Sequence, residues 1–248
     1  MSKCLIVTGG GRGIGAEVSR KAAKQGYSVC VNFHRDQTSA QKLVRELEED
    51  GANALAYQAD VSQEEEVVAL FQTVEKHLGT PEALVNNAGI LDLQTRVDGM
   101  NAERIQRIFA VNVTGSFLCA REAVKRMSTK YGGKGGSIVN LSSGAAKYGS
   151  PGEYVDYAAS KAAIDTLTIG LAREVAEEGI RVNAVRPGFI DTEIHQSGGE
   201  PDRMERVRPL VPMKRVGQAE EVADAIMWLL SDKASYTTGT ILDVSGGR

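Results

Sequence analysis

The stretch Thr8-Gly9-Gly10-Gly11-Arg12-Gly13-Ile14-Gly15 decides how this chain is read. It follows the apolar run Leu5-Ile6-Val7, which has the composition of a buried strand, and it opens a helical pattern over 13–25. Glycines between a strand and a helix let the backbone approach a pyrophosphate closely. The helix N-terminus adds free N–H groups and the positive end of its dipole. Position gives the string its meaning, since many glycine-rich strings are plain turns. No Gly-Lys-Ser/Thr follows, which disfavours a P-loop nucleotide hydrolase.

Outward from this loop, short β-rich runs alternate with longer helical patterns. Strands are expected at 5–7, 28–33, 54–57, 83–85, 137–141, 181–185 and 241–244. Gly26-Tyr27 stops the first helix, and Thr38 or Ser39 is expected to cap the second. Ser62 with Glu65 or Glu66 opens the third. A long helix is expected over 102–127, another from the Tyr157 segment to about Gly179, and a last one over 220–230. This βαβ alternation reads as an α/β fold in which one domain, 1–248, is built on a seven-stranded, doubly wound parallel sheet with helices on both faces, the Rossmann arrangement. Only 192–212, rich in Gly, charge and Pro, lacks a role in the sheet and reads as an excursion over one edge.

Composition limits what such a domain does. A net charge of −3 gives no basic excess for nucleic acid or an anionic membrane. No apolar run approaches the ~20 residues of a membrane span. The first residues run straight into a strand-like segment, leaving no room for a signal peptide, so the cytoplasm is the expected compartment. Cys4, Cys30 and Cys119 are far apart in apolar surroundings and read as buried reduced thiols. His34, His77 and His195 form no cluster, so no metal site is expected.

The end of the second strand selects the dinucleotide. An acid there would hold a ribose 2′-OH and favour NAD, whereas an arginine nearby would accept a 2′-phosphate and favour NADP. The residues are Asn32, Phe33, His34 and Arg35, and Phe33 occupies the acid's place. Arg12 in the glycine loop and Arg35 supply positive charge, so NADP is expected, with NAD as the alternative. Asp36 is the counter-signal, although N-capping of the next helix is its plainer role.

Tyr157 and Lys161 stand four residues apart, and residues at i and i+4 share one helix face. An ammonium beside a phenol pulls its pKa down from about 10, which makes Tyr157 a candidate general acid/base. Tyr148 and Tyr154 have Gly152 and Ala158 at that spacing and lack the partner.

These motifs together resemble the short-chain dehydrogenase/reductase family, in its compact single-domain branch and over essentially the whole length. Thr8, Gly9, Gly13 and Gly15 match its T-G-x-x-x-G-x-G, Asn86-Asn87-Ala88-Gly89 its N-N-A-G, Tyr157 and Lys161 its Y-x-x-x-K, and Pro187-Gly188 the pair after the sixth strand. The stretch 149–157 further resembles a bacterial subgroup of sugar- or glucose-dehydrogenase-like oxidoreductases, a likeness that establishes no substrate.

The resemblance implies the remaining roles. Gly11, Arg12 and Ile14 belong to the cofactor loop, and Asp60 with the adjacent Val61 to the adenine ring, with a helix cap as the other reading of Asp60. Asn86, Asn87, Ala88 and Gly89 would line the ribose side, with stabilising the turn as the other reading of Asn87. Asn112 would order a water beside Lys161, and Pro187, Gly188, Ile190 and Thr192 would cradle the nicotinamide. The family's serine usually precedes the tyrosine by about thirteen residues, which lands here on Gly144. One extra loop residue gives the role to Ser143, with Ser142 as runner-up.

The implied activity is hydride transfer between NADP(H) and a small alcohol/carbonyl substrate. Ser143 and Tyr157 act on the carbonyl oxygen, and Lys161 lowers the Tyr157 pKa. An epimerase or dehydratase usually shows T-G-x-x-G-x-x-G and a larger C-terminal region, and a non-catalytic cofactor sensor tends to lose a catalytic residue; neither pattern is present. Helices apolar on more than one face, over 102–127 and 157–178, fit a homotetramer in this family. Substrate choice is expected in 91–100, in 145–155 and in the excursion carrying Ile194, His195 and Met204.

Overall fold

Successive residues of the first strand, β1 (Cys4–Val7), point to opposite faces of one sheet, and both faces are covered. Leu5 and Val7 enter a core with Ala16, Val18, Leu43 and Ile226, while Cys4 and Ile6 enter another with Phe71, Val74, Cys119 and Val175. A strand buried on both sides must be apolar throughout, so a continuous run replaces the alternation of a half-exposed strand. The computed structural model describes residues 3–192, 200 and 203–248.

The elements follow in α/β order. They are α1 (Gly13–Lys24), β2 (Ser28–Phe33), α2 (Gln37–Glu49), β3 (Ala54–Gln58), α3 (Glu64–Leu78), β4 (Pro81–Asn86), α4 (Ala102–Phe109), α5 (Gly115–Met127) and β5 (Gly136–Leu141). Next come α6 (Ala145–Tyr148), α7 (Val155–Val175), β6 (Ile180–Pro187), β7 (Ile190–Asp191), α8 (Arg203–Val207), β8 (Gly217–Gln218), α9 (Ala219–Leu230) and β9 (Ile241–Val244). Seven parallel strands in the order β3-β2-β1-β4-β5-β6-β9 form one Rossmann-like α/β domain. The order reverses between β1 and β4, and that switch point at the C-terminal strand ends is where such sheets bind ligands. No helix among the described residues is long and apolar enough to cross a membrane.

The structure corrects several local expectations. The helix expected over 102–127 is two helices joined by a π-turn, Ala110–Thr114, with Asn112 fully buried in it. The second helix is capped by Asp36, whose carboxylate accepts the Ser39 N–H at 3.0 Å, and not by Thr38 or Ser39. That hydrogen bond chiefly holds the Asp36 carboxyl below its ordinary pKa, with Arg12 adding to the effect. The third helix opens at Gln63, one residue beyond Ser62, because the Ser62 hydroxyl donates instead to Asp60 (2.8 Å). A pair of two-residue strands, β7 and β8, joins Ile190 to Gly217 beside the main sheet and is too short to leave a sequence pattern.

Candidate active site

The glycine loop lies at the switch point and is braced from behind. Asn87 donates through Nδ2 to the carbonyls of Thr8 and Gly9, both at 2.9 Å. The Thr8 hydroxyl accepts the N–H groups of Asn87 and Ala88 at 3.0 Å, tying β1 to the end of β4. Gly9 and Gly13 have φ of 59° and 51°, the left-handed region that glycine adopts without strain. A Cβ at Gly15 would come within 2.6 Å of Asn87 Nδ2 and of the Gly9 carbonyl oxygen, so a side chain there would displace the loop. No side chain caps α1, whose first-turn N–H groups are left for an anion. A tight, donor-rich cradle of this kind fits a dinucleotide pyrophosphate.

Several residues assigned to the cofactor turn out to hold this cradle in shape. Asn32 is buried; its Oδ1 accepts the Gly9 N–H at 3.3 Å and its Nδ2 donates to the Ala59 carbonyl at 3.0 Å. Asn86 does not line the ribose side as expected. Its side chain is buried and donates to Asn140 Oδ1 (2.9 Å) and the Ser116 carbonyl (3.2 Å), cross-linking strands and helix behind the site. Asp60 closes the turn after β3 by accepting the Ser62 N–H at 2.9 Å, while its other oxygen lies 3.7 Å from His34 Nδ1. Val61 and Phe33 are buried beneath this rim. Arg12 and Arg35 are exposed at it, and Arg12 with Gly11, Gly13, Ser39, Lys42 and Thr192 lines a hollow of about 580 Å³.

A neighbouring cleft of about 400 Å³ shares Thr192 with that hollow and brings Ser143, Tyr157 and Lys161 together, along with Ile14, Asn87, Gly89, Pro187, Gly188 and Ile190. Ser143 stands two residues beyond the end of β5, and its hydroxyl pulls the Tyr157 pKa down against the effect of burial. It also accepts the Ala145 N–H at 3.1 Å, which fixes its orientation. Ser142 points the other way, donating to the Lys161 carbonyl at 3.2 Å from a buried position. Both serines line the cleft, and Ser143 is the one whose hydroxyl acts on the phenol's pKa.

Lys161 shares the α7 face with Tyr157, its Nζ 5.7 Å from the ring centre, and donates to the Leu141 carbonyl at 2.7 Å. Gly89 leaves room for it, since a Cβ there would lie 3.3 Å from the ammonium. The expectation that Lys161 draws the Tyr157 pKa down is corrected. Burial dominates and raises the phenol's pKa; the opposing influences are the Ser143 hydroxyl and the charge of Arg203. At neutral pH Tyr157 therefore holds its proton. Asn112 accepts the Ile90 N–H (2.8 Å) and donates to the Ile90 carbonyl (2.9 Å) and Ser160 Oγ (3.0 Å), so its amide ties the loop after β4 to α7.

Burial also lowers the Lys161 pKa from 10.5 to about 8, with Asp165 opposing it. The sign of the linkage follows directly. Below pH about 8 folded and unfolded chains both carry the proton, and the full cost of a buried ammonium is present. Between about 8 and 10.5 only the unfolded chain holds it, so this contribution stabilises the fold as pH rises. Lys161→Met lacks this titration, so its stability relative to wild type should fall by roughly 3 kcal/mol at most as pH rises from about 8 to 10.5. Urea titrations of both proteins across that range measure the difference; a pH-independent difference would contradict the assignment. The comparison with wild type is needed because Tyr157 and the buried Cys4 and Cys119, whose thiols burial pushes up to about 12, titrate with the opposite sign.

Two features of the site were missed in the sequence. Arg104, buried on α4, forms an ion pair with Asp156 (Nε to Oδ2, 2.7 Å), whose other oxygen accepts the Tyr157 N–H at 2.9 Å. Arg203, Arg206 and Arg248 also line the cleft, on segments remote in sequence from Tyr157. No local pattern distinguishes these arginines from exposed ones. Met204 lies in α8, while Ile194 and His195 lie outside the described residues.

Comparison with known proteins agrees with this geometry. The family model described as "Enoyl-(Acyl carrier protein) reductase" matches residues 9–248. The oxidoreductase YgfF of Escherichia coli (strain K12) is 58% identical over 98% of this chain and 98% of its own. 3beta-hydroxysteroid dehydrogenase 1 of Eggerthella lenta is 42% identical (99% and 93% covered), and glucose 1-dehydrogenase 2 of Bacillus subtilis (strain 168) is 38% identical (99% and 94%). A match that spans the sheet from the glycine loop to its last strand leaves one conclusion: the chain belongs to the short-chain dehydrogenase/reductase family of NAD(P)-dependent oxidoreductases.

Proposed function

We propose that this protein transfers a hydride between NADP(H) and a small alcohol/carbonyl substrate, with Tyr157 as general acid/base. The observation that carries the reading is the single cleft that brings Ser143, Tyr157 and Lys161 together. In the reductive direction Ser143 donates a hydrogen bond to the carbonyl oxygen, and Tyr157 delivers its proton to the same atom. Holding that oxygen between two donors both orients it and stabilises the charge it gains. Lys161 lies close enough to stabilise the phenolate left behind and to hold the ribose of the nicotinamide. Asn112 belongs to the relay returning a proton to Lys161 from solvent. The cofactor supplies the hydride and the residues supply position and field.

The glycine loop, Ala88, Gly89, and the segment of Pro187, Gly188, Ile190 and Thr192 would hold the two ends of the dinucleotide, with Asp60 and Val61 at the adenine. Arg12 in the glycine loop and Arg35 just past β2, both exposed, favour the 2′-phosphate of NADP, because Phe33 offers no acceptor to a ribose 2′-OH. Substituting alanine at Arg12 and Arg35 together should raise the KM for NADPH by about tenfold or more and leave that for NADH nearly unchanged. Steady-state assays of both cofactors against a panel of ketones, aldehydes and sugars test this. Equal loss for both cofactors, or a wild-type preference for NADH, would overturn the NADP assignment.

The same reading includes a homotetramer. Phe117 on α5 and Ile169 on α7 are exposed apolar side chains on helices the family resemblance places between subunits. It also places the protein in the cytoplasm, where buried thiols such as Cys30 stay reduced.

A further inference from the structure

The cleft that holds Tyr157 also contains two buried hydrogen-bond donors without acceptors among the described residues. Arg203 is only 7% exposed, and its Nη2 and Nη1 are taken by Glu153 (2.7 Å) and Glu200 (3.0 Å). Arg206 pairs with the same two carboxylates, so these four residues neutralise one another. Among the described residues Arg203 Nε has no hydrogen-bond partner, and neither does Arg248 Nη1.

Arg248 differs from the other two because no carboxylate among the described residues pairs with it. Asp243, which borders a neighbouring hollow with it, is engaged by Lys147 and Arg186. The Arg248 guanidinium instead lies 5.1 Å from the Tyr148 ring centre and 4.7 Å from that of Phe189. Arg203 lies 5.7 Å from the same Phe189 ring and 5.0 Å from Tyr154. Phe189 is thus flanked by two guanidinium groups, each with a donor to spare. Aromatic faces hold a guanidinium in place without satisfying its in-plane N–H groups. A buried donor left unpaired is unfavourable, and an incoming acceptor removes that cost.

We infer that the substrate carries an anionic oxygen group, a carboxylate or a phosphate, bound by Arg248 Nη1 and Arg203 Nε, while its carbonyl reaches Ser143 and Tyr157. This names the substrate class for the hydride-transfer reading above and rests on it. Carboxylates and phosphates are the acceptors that arginine forks bind best, and Arg248, with no side-chain carboxylate paired to it among the described residues, favours them over neutral sugars or ketones.

Matched pairs of aldehydes test the inference: succinic semialdehyde against its methyl ester, and glyceraldehyde 3-phosphate against glyceraldehyde. In at least one pair the anionic member should have a kcat/KM about tenfold or more above its neutral partner, and the pair that responds identifies carboxylate or phosphate. Arg248→Met should bring that ratio close to one, with Arg248→Lys retaining part of it. An equal or better neutral partner in both pairs, or a ratio unchanged by Arg248→Met, would overturn the inference. Calorimetric titration of succinate and succinamide into the NADP-saturated protein gives a readout that needs no turnover. Arg248-dependent binding of succinate supports the anion site even if no aldehyde is reduced, a result that would count against the hydride-transfer reading alone. Equal or absent binding of both compounds, with no pair showing an anionic preference, rejects the anion site.

Discussion

Tyr157→Phe is expected to lower kcat by about 10²–10⁴-fold while changing the dissociation constant of NADPH by no more than about twofold. The substitution removes one hydroxyl from the cleft and keeps the ring beside Lys161. The lost group is the phenol that shares the cleft with Ser143 and Lys161, whereas Tyr148 and Tyr154 have arginines against their rings. Burial keeps this phenol protonated at neutral pH, which is the form needed to donate to a carbonyl oxygen. Fluorescence titration of bound NADPH and steady-state rates on one preparation separate binding from chemistry. Undiminished turnover would remove Tyr157 from the mechanism, and a parallel loss of cofactor affinity would make it a binding residue.

The second large effect concerns the support of that tyrosine. Arg104→Ala should destabilise the fold by about 3–5 kcal/mol, lowering the melting temperature by on the order of 10 °C. The Arg104 guanidinium bonds Asp156 through Nε and Nη2 and the Leu93 carbonyl through Nη1 (2.6 Å). The Asp156 side chain is only 2% exposed, so removing the arginine strands a buried carboxylate. Asp156 also anchors the Tyr157 N–H, so the loss should reach the active site and reduce kcat as well. Replacing both partners with apolar residues, Arg104→Met with Asp156→Leu, should restore most of the stability without restoring the orientation of Tyr157. Differential scanning calorimetry of the three variants decides. A melting temperature within about 2 °C of wild type in Arg104→Ala would show that the pair contributes little.

Much of this architecture was legible in the sequence because it is encoded locally. All seven strands were expected, since residues such as Leu5, Val29, Leu84 and Val182 sit in runs that only a doubly covered sheet requires. The placement of the glycine loop between β1 and α1, and of Lys161 beside the Tyr157 ring, was legible for a similar reason, as both follow from local spacing. What escaped depends on long-range placement. Nothing in Asn86 or Asn32 distinguishes an asparagine that faces a ligand from one that knits strands together, and both prove to be braces. The π-turn around Asn112 inserts one residue into a helical period that looks continuous in sequence. Arg203 and Arg248 meet Tyr154, Tyr148 and Phe189 only after the chain has closed over the β5 and β6 ends. The Tyr157 pKa shows the same limit, because i,i+4 spacing placed the ammonium correctly while burial set the sign.

Hydride transfer at this cleft is tested most directly by following the hydride itself. NADPH deuterated at C4 of the nicotinamide is incubated with the carbonyl panel and wild-type protein, and the products are analysed by mass spectrometry. One deuteron at the carbinol carbon of the product is expected with wild type, and none above background with Tyr157→Phe. No deuterium in any product from wild type, or equal incorporation by both proteins, would contradict the account.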